Sequence, residues 1–303
     1  MFNFLKPKLT IATHSSKFHT DDIFAVATLL LVLEKEGKSA RVVRTRDMEI
    51  IKTANYVVDV GGIYDSEKNL FDHHQIGGAG KRDDGIPYAS FGLVWEKYGE
   101  KLSGSREVAT RIDNELVQII DAYDNGVDLV DLKNSNIRPF DTRDLLYIFR
   151  PTWKENKNLD DVFMEIVFYA KVILKRIIIC KNDELDAERL VEEAYRNAAD
   201  KRVLILDERY PWEDVIIKKY SETLFVIYPK RVDNTWSLKT VRQDGRMYIS
   251  RKNLPETWAG QSGDSFEKIT GVEGAIFCHK NLFLAVAKTK EAILKLAEIA
   301  LNS

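Results

Sequence analysis

The sequence predicts an α/β fold: a parallel sheet with helices on both faces, followed by a smaller α+β domain. Three observations predict it. The apolar period switches between strand and helix through the first sixty residues, helical periodicity then dominates to about residue 199, and a β-rich composition begins at Lys201. Residues 1–200 therefore form one domain and 201–303 a second, each long enough for its own core.

Leu9 to Ala12 reads as a first strand. Thr20 is a suitable N-cap for the helix that follows, Asp21 and Asp22 lie in its first turn where the helix dipole favours negative charge, and Gly37 stops it. Arg41–Arg44 and Tyr56–Val60 are the second and third strands, the third apolar as a buried parallel strand must be. Such βαβ alternation demands crossover helices and gives a parallel sheet. Helical patterns cover Ala89 to Val130 and then Asp144 to about Ala199, with Val162, Ile166, Tyr169, Ile173 and Ile177 on one stripe. Strands are expected at Val203–Leu206, Thr223–Tyr228, Trp236–Val241, Met247–Ser250 and Gly274–Phe277, before a closing amphipathic helix from Lys290 to Leu301.

The composition is that of a globular protein, with a formal net charge of −2 that excludes a polycationic nucleic-acid coat. Charge is unevenly divided: residues 1–200 hold 28 basic and 34 acidic side chains, residues 201–303 hold 17 and 13. Cys180 and Cys278 are far apart and fit no metal or disulfide spacing, which points to a reducing cytoplasm. The apolar start of the chain is too short for a signal-peptide core or a membrane span, so no membrane association is expected.

Chemistry is concentrated in the first 130 residues. Four of the five histidines, His14, His19, His73 and His74, lie there beside carboxylates, and mixed imidazole and carboxylate donors suit Mn²⁺, Zn²⁺ or Fe²⁺. Mn²⁺ is the preferred ion, with Mg²⁺ as the alternative. His14 follows the first strand, His19 and Asp21 open the next helix, and Asp59 ends the third strand, so all four converge on the carboxyl edge of the sheet. A buried Asp59 with no cationic neighbour in sequence calls for a metal. The Asp72-His73-His74 triplet adds a second cluster, in which one histidine ligates and the next binds or protonates the substrate. A third is Asp121, Asp124 and Asp128, at helical spacing before and after Gly126.

These segments, Phe18-His19-Thr20-Asp21-Asp22, Val58-Asp59-Val60-Gly61-Gly62, Phe71-Asp72-His73-His74-Gln75 and Ile120-Asp121-Ala122-Tyr123-Asp124-Asn125-Gly126, resemble the successive motifs of the melanocyte-proliferating-gene (Myg) family. The likeness continues through Tyr210-Pro211-Trp212, Arg251 to Gly260 and Gly274 to His279, and so covers nearly the whole chain. That family belongs to the DHH phosphoesterase superfamily, which includes RecJ-type exonucleases and family II pyrophosphatases. The resemblance implies a DHH-type first domain with two divalent cations: His14 and His19 on one, Asp21, His73 and Asp121 on the other, Asp59 bridging. His74 would meet the scissile phosphate, and Asp72 is the other catalytic candidate.

His19 stands where most of the superfamily has aspartate, and the glycines usual after the final histidine are replaced by Lys280-Asn281-Leu282. Candidate phosphate contacts are Arg44, Arg46 and Gln75 in the first domain and Arg251, Lys252, His279 and Lys280 in the second. Trp236 and Trp258 can stack a base or fill a core. The implied activity is a 3′–5′ exonuclease on RNA or short oligonucleotides. A small-molecule phosphatase acting on nucleotides, cyclic dinucleotides or pyrophosphate, and a non-catalytic metal-binding regulator, are the alternatives; a homodimer is possible.

Overall fold

A computed structural model describes residues 9–303 apart from 133, 135, 136, 138, 246 and 247. Its contacts divide the chain into two compact units, Met1–Asn182 and Asp183–Ser303. The division falls inside a helix, ahead of the change to β-rich composition near residue 200, because the last turns of that helix already pack with the strands that follow them.

In the first unit the apolar centre of Leu9–Thr13 forms β1, joined to α1 (Thr20–Lys35). Then come β2 (Ala40–Arg44), α2 (Met48–Thr53), β3 (Tyr56–Val58), β4 (Tyr64–Asp65) and β5 (Leu70–Phe71). The sheet order is β2-β1-β3-β5-β4, parallel except for the β4–β5 pair. Ala12 and Val57, paired in register, pack against Ile51 of α2 on one face. Their neighbours Ile11 and Val58 alternate to the other face and are fully buried there.

α1 is buried along nearly its whole length and packs on α3 (Ser90–Ser103), where the Phe24 and Phe91 rings lie 5.3 Å apart. The helical region expected to Val130 is α3, α4 (Arg106–Ile112), a π turn over Asp113–Val117, and α5 (Gln118–Asp124), ending two residues short of Gly126. The next expected helix is split into α6 (Thr142–Tyr147) and α7 (Leu159–Asn197). Pro151 accounts for the gap, since proline disfavours helix in the residue before it and lacks a donor of its own. The α1 cap also moves by one residue: His19 is the N-cap, and its N–H donates to Asp22 Oδ1 at 2.9 Å.

The second unit continues with β6 (Val203–Ile205), α8 (Glu213–Lys219), β7 (Phe225–Lys230), β8 (Thr235–Thr240), α9 (Asp264–Thr270), β9 (Ala275–Cys278), β10 (Leu284–Ala287) and α10 (Lys290–Asn302). The sheet order is β6-β7-β8-β10-β9, with only β6–β7 parallel. Strand alternation gives β7 two apolar faces. Phe225 and Ile227 join a core with α9, α10 and Trp258, while Val226 and Tyr228 join another with Leu204, Trp212, Val215 and Val191 of α7. Trp258 is therefore core, 5.5 Å from the Phe266 ring, and Trp236 packs half-buried at its margin. Of the strand expected at Met247–Ser250, Met247 lies outside the described residues and Ser250 makes only an isolated bridge to Arg242.

Among the described residues, no helix is long and apolar enough to cross a membrane. Phe24→Ala should cost about 3–5 kcal/mol, the range for emptying a buried phenylalanine site. A lower urea midpoint with an unchanged slope measures this; a shift worth under about 1 kcal/mol would mean that the α1–α3 interface closes over the gap.

Candidate metal centre

Register alone brings the first three groups together. Thr13 pairs with Val58, and Val58 with Phe71, so the residues that leave these parallel strands next are His14, Asp59 and Asp72, side by side at one sheet edge. The chain after β1 returns to the same edge as the start of α1, placing His19, Asp21 and Asp22 there. Asp59 has a positive φ of 55°, a left-handed conformation that aspartate tolerates better than most residues. Its N–H still donates to Phe71 O at 3.1 Å, which ties the bend to β5.

Asp59 stands between both histidine groups. Its Oδ2 is 3.3 Å from His14 Nε2, and its Oδ1 is 3.3 Å from both His73 Nε2 and His74 Nδ1. Asp22 Oδ2 lies 2.9 Å from His14 Nε2, and Asp124 Oδ2 lies 3.2 Å from His73 Nε2. Among the described residues, donor atoms within 4.8 Å of one another form three sets: His14, His19 and Asp59; Asp59, His73 and His74; and Asp21, His73 and Asp124. Asp59 is shared by two sets and His73 by two.

The carboxylates that carry most of the burial are anchored by α3. Its first N–H groups have no cap from Ala89; instead Ser90 N and Phe91 N donate to Asp21 at 3.1 and 2.6 Å, and Gly92 N donates to Asp121 Oδ1 at 3.0 Å. A helix N-terminus thus receives two acids from other elements. The second oxygen of Asp121 accepts from Arg82 Nη1 at 2.7 Å, and Arg82 also makes a two-point pair with Asp113. Asp121 consequently belongs to a charge network behind the cluster. Asp124, one turn further along α5, takes the position facing His73.

The electrostatics match this crowding. Burial opposes charge on His14 and His73, but Asp22 and Asp59 hold the first up at about 10, and Asp124 and Asp59 hold the second up at about 11. Burial pushes Asp21 and Asp22 up, and Asp121 up to about 7 against the pull of Arg82. Asp59 is held well below the usual carboxylate range: the two imidazoles outweigh its burial. Asp72 accepts from Gly62 N at 2.6 Å and from His74 Nδ1 at 2.8 Å, and its carboxylate raises the His74 pKa.

These residues fit divalent-cation binding. Among the described residues, buried His14 Nε2, His73 Nε2 and Asp22 Oδ2 have no hydrogen-bond partner, although opposite charge lies within about 3 Å. A divalent ion would displace the imidazole protons and take the ring-nitrogen and carboxylate lone pairs together, a donor set that suits it.

The remaining sequence candidates are not members of these donor sets. Arg44 is buried; it donates to Ser16 O at 2.6 Å and Asp160 at 2.7 Å, over the Phe18 and Phe163 rings. Arg46 is exposed, and Gln75 has a buried Oε1 without a partner. Arg251 donates to four carbonyls, those of Ile216, Ile217, Tyr220 and Thr223, capping the end of α8, and Lys252 donates to Leu301 O and Ser303 O at the end of α10. His279 accepts from Asn281 N at 3.1 Å and packs on the Phe283 ring.

Four contributors have little sequence signal of their own. Asp22 reads as a helix first-turn acid. Arg82 sits in a glycine-rich loop, and Arg143 and Tyr147 of α6 line the cavity of about 520 Å³ at the cluster although they are remote from every motif.

A protein-family model described as an uncharacterised protein family (UPF0160), MYG1_exonuc, matches residues 10–301. The chain is 29% identical over 324 residues to the MYG1 protein of Dictyostelium discoideum, covering 97% of each. It is 31% identical to the MYG1 protein of Chlamydia trachomatis, covering 97% of this chain and 95% of that one. To the human MYG1 exonuclease it is 28% identical, covering 96% and 85%. A manganese-bound RecJ from Thermus thermophilus is 12% identical with a TM-score of 0.30, over 97% of this chain and 52% of that one, a likeness too distant to bear on the chemistry.

A Cβ on Gly92 would overlap the Asp121 carboxylate and lie 2.9 Å from the Tyr88 ring. Gly92→Ala should therefore cost about 1–3 kcal/mol, as overpacking does in a closed core. Thermal or urea unfolding checks it, and wild-type stability would show that the Asp121 carboxylate can move aside.

Proposed function

The chain belongs to the MYG1 family, and from that membership and the shared position of Asp59 we propose a divalent-metal-dependent phosphoesterase, a 3′–5′ exonuclease acting on RNA or short oligonucleotides. The observation that carries the reading is one carboxylate within 3.3 Å of imidazoles from two separate segments.

His14, His19 and Asp59 would hold one Mn²⁺, and Asp59, Asp21, His73 and Asp124 a second, Asp124 taking the place that resemblance alone gives to Asp121. Bound there, such a pair supplies Lewis acidity to a phosphoryl oxygen and lowers the pKa of water. The chain's own residues do the rest. The His74 side chain is 60% exposed at the mouth of the cluster with its Nδ1 fixed on Asp72, which leaves its Nε2 as the donor for a phosphate oxygen or the leaving oxygen when the ring is protonated. Asp72 is the positioning residue: it orients the ring and favours its charged form.

Mn²⁺-dependent release of mononucleotides from RNA with a free 3′ end, and none from RNA with that end blocked, is the expected result. Equal cleavage of both would remove the 3′–5′ polarity, and hydrolysis of pyrophosphate or mononucleotides alone would favour a small-molecule phosphatase.

Asp59→Ala should reduce turnover by three orders of magnitude or more and empty the metal centre while the circular dichroism of the protein stays unchanged. Near-normal activity would show that Asp59 does not bridge. Asp124→Asn and Asp121→Asn separate the two neighbouring acids. The first should lower Mn²⁺ occupancy. The second should chiefly lower stability, by about 1.5–3 kcal/mol, the worth of one hydrogen bond to a charged group, because Arg82 keeps its two-point pair with Asp113.

A further inference from the structure

The cavity at the cluster has a wall with no counterpart in the metal-ligand motifs. Beside His73, His74 and Asp124 it is lined by Tyr123, Arg143 and Tyr147, the last two from α6. The Arg143 guanidinium stacks 3.5 Å over the Tyr123 ring. Its Nε and Nη2 donate to Asp141, the N-cap of α6, while its Nη1 has no hydrogen-bond partner among the described residues. Tyr147 is 37% exposed, and the Arg150 guanidinium covers its ring at 3.8 Å. The lining thus combines carboxylates and imidazoles with a fixed guanidinium and a cation-backed aromatic ring. The volume of about 520 Å³ lies in the range for a small-ligand site, about 300–1,000 Å³, and holds one nucleotide rather than several.

A cluster that fits metals selects a phosphate, yet it cannot tell a nucleotide from any other phosphoester. An aromatic ring in the same cavity can, because every base has a π-face. Phosphate alone would leave the ring without use. Trp258 cannot supply this, since it is buried in a core of the second unit.

We propose that α6 completes a single-nucleotide subsite at the metal centre, in which Tyr147 stacks on the base and Arg143 Nη1 binds a phosphate oxygen of the terminal nucleotide of a single strand. This deepens the exonuclease reading and rests on it.

The test is calorimetric titration of the full chain, supplied with Mn²⁺, with adenosine 5′-monophosphate and with ribose 5-phosphate. The nucleotide should bind about 5- to 100-fold tighter, the margin that one stacked base contributes. Tyr147→Ala should erase the margin without changing ribose 5-phosphate binding, Tyr147→Trp should keep it, and Arg143→Ala should weaken both ligands by a similar factor. Equal binding of the two ligands by the wild-type chain, or an undiminished margin in Tyr147→Ala, would overturn the subsite. If RNA is degraded from its 3′ end by Tyr147→Ala with an unaltered KM, the subsite falls and the exonuclease reading stands. A base-dependent margin in a chain that degrades no RNA has the opposite meaning: the subsite stands and the exonuclease reading falls.

Discussion

Concentrated negative charge is the constraint around which the first unit is organised. Asp21, Asp22, Asp59, Asp72 and Asp121 are each at most 3% exposed. Five carboxylates cannot be withdrawn from water unless each finds a counter-charge or a set of donors. The fold supplies them locally: the open N-terminus of α3 for Asp21 and Asp121, Arg82 for Asp121, the Gly62 N–H for Asp72, and imidazoles for Asp22 and Asp59. Once those partners are assigned, the inward-facing lone pairs that remain are those gathered about Asp59.

The same constraint explains several local choices. Gly92 is small because Asp121 lies against its backbone, and Ala89 can be a poor N-cap because Asp21 does the capping from α1. The left-handed turn at Asp59 aims the carboxylate back across β1 and β5, into reach of three imidazoles, where an extended residue would have continued along the strand.

Much of this was legible in the residues. Periodicity located β1, α1, β2 and β3, and the rule that parallel strands present their carboxyl ends together was enough to foresee the meeting of His14, Asp59 and the Asp72-His73-His74 triplet. Which acid of α5 faces the cluster was not legible. Asp121 and Asp124 are three residues apart on one helix face, and the choice between them depends on Arg82, whose loop has no pattern that betrays its ion pair. Arg251 and Lys252 were misleading for a related reason. A basic residue beside a motif looks the same in sequence whether it awaits a phosphate or caps a helix, and here both side chains are spent on carbonyls. The gap between α6 and α7 hides the cavity wall from the sequence, where the helical pattern from Asp144 to about Ala199 runs straight across Pro151.

The 39-residue helix α7 has an implication for how the chain can be cut. Its early turns bury Phe163, Ile166 and Leu174, while Val191 near its end belongs to the core around Leu204 and Trp212. Severing it at the boundary between the units would create two new frayed ends, each with four orphaned backbone groups, in the middle of what had been continuous hydrogen bonding. A half-length product, whether made by a protease or by a premature stop, would inherit a domain's worth of sequence without a domain's worth of support.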